Sequence, residues 1–150
     1  MKRSGKVSPV NQLPDRAAVL LEKGKEDSYA LDCLADNARV SDAVVGFHAQ
    51  QAVEKFMKAV LARRAVEFRR THNPGLLLDM LKDNGVPLPP EGEGLVRLTP
   101  WGAHMRYDRP AARPPAKNPL DRSWLRMCVR QTQAWAETLM SERAGETEEA

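Results

Sequence analysis

Phe47-His48-Ala49-Gln50-Gln51-Ala52-Val53-Glu54-Lys55 is the stretch on which the fold turns. Around it, Val45, Ala49, Ala52, Val53, Phe56, Val60 and Leu61 recur at spacings of three and four residues. That period places them on one side of an α-helix running to about Ala65. Ser41 or Asp42 supplies the side-chain oxygen that caps its start. His48, Gln51, Lys55 and Lys58 fall largely on another face.

Working outward, other helices announce themselves by their ends. Asn73-Pro74 is start chemistry, an N-cap followed by a proline whose missing N–H costs nothing in a first turn. Leu76, Leu77, Met80 and Leu81 then give a short helix that Asn84-Gly85 stops. Asp121 caps a last helix to about Met140, with Trp124, Leu125, Cys128, Val129, Thr132 and Trp135 on one stripe. Before the quoted stretch, Val19, Leu20, Tyr29, Leu31 and Leu34 mark a first helix. Pro14 fits its first turn, and Gly24 interrupts it, so that it begins properly near Lys25. A fourth helix is expected from Leu95 to about Tyr107, kinked at Pro100 or starting at Thr99-Pro100. Val86 to Gly94 reads as a Pro/Gly-rich loop and Asp108 to Pro119 as an extended linker.

No strand alternation and no long repeat compete with this pattern. The expected fold is all-α, an up-and-down bundle of four or five helices over residues 14–140. A flexible basic arm (1–13) precedes it and an acidic tail (141–150) follows. The 150 residues suffice for one domain with a real core, and 42% hydrophobic residues with only 5% aromatics favour helices. A net charge of +3 permits nucleic-acid binding without demanding it. Two cysteines, Cys33 and Cys128, fit a reducing cytoplasm and read as half-buried small apolar residues. Met57, Met80, Met105 and Met127 read as core fill, and Trp124 and Trp135 as core or dimer surface. No apolar run of about 18 residues, no signal peptide and no metal-ligand spacing is present, so neither membrane nor metal is expected.

Three elements in order resemble one family. These are the quoted stretch with Lys58-Ala59-Val60-Leu61, then Thr71-His72 ahead of Leu76-Leu77-Leu78, then Leu98-Thr99-Pro100-Trp101 with Arg106-Tyr107-Asp108. Together they resemble HEPN, the higher eukaryotes and prokaryotes nucleotide-binding domain, in its Arg-Tyr-Pro-like branch, over about Lys25 to Met140. The likeness implies a helical bundle that commonly forms homodimers; no cofactor is expected. It also implies a place beside a minimal nucleotidyltransferase, in toxin–antitoxin or defence systems.

Some HEPN proteins cleave RNA without metal, using an Arg and a His with roughly four to six residues between them. Arg97 and His104, with six residues between them, formally fit. An imidazole moves protons near neutral pH and a guanidinium holds the scissile phosphate. Pro100 and Gly102 inside the gap weaken the match, and a solvent-facing His104 is the competing reading. His48, Gln51 and Lys55, each about one turn from the next, are candidates for binding a phosphate or a base; a hydrogen-bonded structural row is the alternative. Arg106 and Tyr107 are candidate ligand contacts, set against a cation that merely suits a helix C-terminus. Arg63, Arg64, Arg69, Arg70 and His72 form the densest basic cluster, either a solvated turn or an RNA contact. Two main functions follow: a dimeric module that binds a nucleotide, RNA or a nucleotidyltransferase, or a metal-independent ribonuclease toxin. A third is a regulatory dimer without ligand.

Overall fold

The computed structural model describes residues 9–68, 70–98 and 119–142. Among these it holds five α-helices and no strand: α1 (Pro9–Leu34), α2 (Asp42–Arg63), α3 (Pro74–Asp83), a single turn α4 (Gly92–Leu95) and α5 (Arg122–Ser141). A 3₁₀ turn, Val96–Leu98, continues α4. The bundle expected from sequence is therefore the fold observed.

Helix α2 is the centre, with α1, α3 and α5 packed against it. Its predicted apolar residues are all buried, and so are Met57, Ala59 and Ala62. Neighbours on several sides explain why its amphipathic pattern is mild: a helix surrounded by others needs little polar face. Leu31, Leu77, Leu81, Leu95, Leu98, Leu125 and Val129 complete the core from the other elements.

Local chemistry sets the helix ends. The Ser41 hydroxyl accepts from Val44 N–H at 3.3 Å, and the Asn73 side chain accepts from Gly75 N–H at 2.9 Å. The Asp121 carboxylate accepts from Trp124 N–H at 3.0 Å. Both α2 and α3 end in a Schellman motif. Val66 N–H reaches Leu61 O and Val86 N–H reaches Leu81 O, at 2.9 and 3.0 Å. In α3 the left-handed residue is Gly85, φ 72°; in α2 it is Ala65, φ 60°, where a Cβ makes the same turn more costly.

Two connections are pinned by single side chains. Arg122 donates to the carbonyls of Ala35, Asn37 and Val40 and to the Asp42 carboxylate, tying the α1–α2 turn to the start of α5. Arg63 donates to Met140 O and Glu142 O, satisfying carbonyls at the end of α5.

Several expectations need correction. Helix α1 is continuous through Gly24 and starts at Pro9, so Pro14 lies inside it rather than in its first turn. Gly24 does not break the helix because it is a contact point. A Cβ built there would sit 2.7 Å from Phe56 Cε1, so glycine lets the two helices approach. Val19 and Tyr29 are exposed, as is Cys33, while Cys128 is buried. Met127 points to solvent instead of filling the core. The fourth helix expected from Leu95 to about Tyr107 begins instead at Gly92, within the stretch expected to be a loop, and its part beyond Leu98 lies outside the described residues.

The Gly24 contact is testable. Gly24→Ala adds good helix propensity but forces the Phe56 ring to move, and overpacking of this kind costs about 1–3 kcal/mol. Chemical denaturation is expected to show a lower midpoint for Gly24→Ala; an unchanged or raised midpoint contradicts the close approach.

Candidate functional site

The polar residues of α2 sort into two carboxylate centres. The first is near the surface. Asp27, from α1, receives Lys55 Nζ on Oδ2 at 2.6 Å and lies 3.1 Å from His48 Nδ1 through Oδ1. The antiparallel packing of α1 on α2 creates this site: His48 and Lys55 stand two turns apart, and Asp27 arrives between them. Their side chains keep 27% and 28% exposure, and Asp27 keeps 15%.

The second centre lies deeper. Glu54 is buried, its side chain only 3% exposed. Its carboxylate accepts from Gln50 Nε2 at 2.9 Å and Lys58 Nζ at 2.7 Å, and lies 3.1–3.2 Å from His72 Nδ1. Gln50 also donates to His72 O at 2.9 Å, so the segment leading into α3 is held by side chain and backbone together. Gln51 joins this deeper centre by donating to Gln50 Oε1 at 2.9 Å. A buried carboxylate is tolerable only with such partners.

The expected site residues thus meet different fates. His48, Gln51 and Lys55 do share one region of α2, with His48 and Lys55 converging on one acid. Arg97 stands on the 3₁₀ turn with its guanidinium 4.9 Å from the centre of the Trp124 ring. His104, Arg106 and Tyr107 lie outside the described residues, as do Arg69 and Met105. The basic cluster after α2 divides: Arg63 and Arg64 turn to the end of α5, His72 turns to Glu54, and Arg70 is exposed. Asp27, Gln50 and Glu54 escaped the sequence reading. Glu54 had one visible signal, its position four residues after Gln50 and four before Lys58.

A groove of about 580 Å³ runs between α3 and the α4 turn, lined by Leu76, Leu78, Leu88 and Val96 with Asp79 and Lys82 among its polar residues. Of the expected site residues that are described, none (His48, Gln51, Lys55, Arg97) lines it. Among the described residues no group of three or more His, Cys, Asp or Glu could hold a metal ion. No helix among them is long and apolar enough to cross a membrane.

One thiol is chemically silent. Burial pushes the Cys128 pKa up to about 11; Glu91 adds to the rise and Arg97 opposes it. Because the folded value exceeds the ordinary 9.0, the folded state holds this proton more tightly than the unfolded chain. The contribution to stability is complete below pH ~9 and is lost as pH rises through ~11. At pH 8 a thiol reagent is expected to modify Cys33 in the native protein, with Cys128 reacting only after unfolding. Two equally fast thiols in the native protein contradict the burial.

The family description that matches the chain is HEPN domain, over residues 17–139. No curated protein and no solved structure matches it. The matched span takes in α2, the Glu54 centre, α3 and nearly all of α5, and the chain belongs to the HEPN domain family.

Proposed function

We propose that this chain is a homodimeric HEPN binding module that engages phosphate groups of a nucleotide or RNA. In this reading it serves a nucleotidyltransferase partner in a cytoplasmic toxin–antitoxin or defence system and has no chemistry of its own. Family membership supports a nucleotide- or RNA-related role. The observation that carries the reading further is the pairing of His48 and Lys55 at the surface of α2. Both are partly exposed nitrogen donors, both already engage an anionic group, and Gln51 stands between them. Arg106 and Tyr107 remain candidate contacts of the same ligand.

A second reading has one favourable observation. The exposed Arg97 guanidinium lies 4.9 Å over the centre of the Trp124 ring, a cation–π contact that does not itself consume the N–H donors a scissile phosphate requires. With His104 as proton carrier, this is the ribonuclease alternative.

The two readings separate in one set of measurements on the full chain. A binding module leaves RNA intact in chelator, and ATP or an oligoribonucleotide raises its melting temperature. At a ligand concentration a hundredfold above Kd the gain is about 2.7 kcal/mol, roughly 5–10 °C for a chain of this size. Light scattering is expected to give the mass of two 16.7 kDa chains. Metal-independent cleavage that disappears in a folded His104→Ala variant favours the ribonuclease. No melting shift with either ligand contradicts the binding module.

A further inference from the structure

Each carboxylate centre places one lysine and one histidine around one acid, but the two differ in burial and in the number of donors. Glu54 is deeply buried, receives a third donor from Gln50, and cannot leave without opening the core. Among the described residues Asp27 has two partners, His48 and Lys55, and all three side chains reach solvent. Among the described residues, the side chains of His48 and Lys55 have no other hydrogen-bond partner. An ammonium carries three donors and an amide two, so Lys55 and Gln51 retain N–H groups beyond those used on Asp27 and Gln50. Each Asp27 oxygen meets one nitrogen, the arrangement that two oxygens of a phosphate group would adopt on the same pair.

We propose that His48, Gln51 and Lys55 form a phosphate site for which Asp27 is the built-in competing anion. In the unliganded chain the Asp27 charge cancels that of Lys55, so the site holds little attraction for a phosphate. An incoming phosphate takes the His48 and Lys55 nitrogens, and the Asp27 carboxylate turns out to water. Asp27 thereby sets the threshold for occupancy and favours multiply charged phosphates over singly charged anions. This inference rests on the binding-module reading and names the residue that regulates its site.

Isothermal titration of the full chain with inorganic phosphate, ATP and an octauridylate tests it, using wild type, Asp27→Asn, Asp27→Ser and Lys55→Met. Removing one competing charge is expected to tighten binding about tenfold in both Asp27 variants. Lys55→Met is expected to weaken binding by a similar factor, without depending on an altered Asp27. A gain confined to ATP assigns the site to a free nucleotide, and a gain confined to the oligomer assigns it to RNA. A gain shared by all three probes identifies a site for phosphate alone. If wild type binds ATP or the oligomer but the folded Asp27 variants bind no more tightly, Asp27 is not a competitor and the inference falls while the binding module stands. Binding unaffected by Lys55→Met overturns it as well. If no form binds any probe, the inference and the binding module fall together.

Discussion

The rest of the structure depends on a negative charge placed inside it. Glu54 lies on the central helix with its side chain almost out of reach of water. An isolated carboxylate in that position would be untenable, since water solvates such a charge far better than a protein interior does. Gln50, Lys58 and His72 make it tenable by surrounding it with donors. Those donors come from two places, α2 itself and the segment ahead of α3. Satisfying the charge therefore also fixes where α3 begins. The segment cannot lift away without stripping a buried acid of a partner, and this is how a polar group acquires structural authority in an otherwise apolar core.

The same logic, weaker and nearer water, organises the outer links. Arg122 gathers three carbonyls and a carboxylate at one end of the bundle, and Arg63 gathers two carbonyls at the other. Glu137 of α5 raises the pKa of Lys25 on α1 across the helix interface. Charged groups here mostly close the bundle rather than decorate it. Two groups differ: Asp27 with His48 and Lys55, held by few bonds and partly wet, and Arg97 resting on Trp124, and on these the proposed binding and ribonuclease readings rest.

Much of this was legible in the sequence, for local reasons. Helix α2 showed its core face by spacing, and Ser41, Asn73, Asn84-Gly85 and Asp121 marked ends by chemistry that acts within a few residues. Gly24 was misread because its role is tertiary: propensity counts it as a break, whereas the ring of Phe56 needs the space. Tyr29, Cys33 and Met127 were misplaced because residue type alone does not say which stripe of a helix faces a neighbour. At the site, the spacing of His48, Gln51 and Lys55 on one helix was readable. Their shared acid was not, because Asp27 is 21 and 28 residues away from His48 and Lys55 and meets them only through the register of α1 on α2. Glu54 was hidden for the opposite reason: its helix neighbours were visible, but nothing local indicated that the position is buried.

The dependence of the fold on that buried charge can be measured directly by a double-mutant cycle between Glu54→Gln and Lys58→Met, using unfolding free energies from chemical denaturation. Side chains 2.7 Å apart in a buried network are expected to show a coupling of about 1–3 kcal/mol, with each single variant clearly less stable than the parent. Single variants within about 0.3 kcal/mol of the parent, with no coupling between them, would contradict the central place given to Glu54.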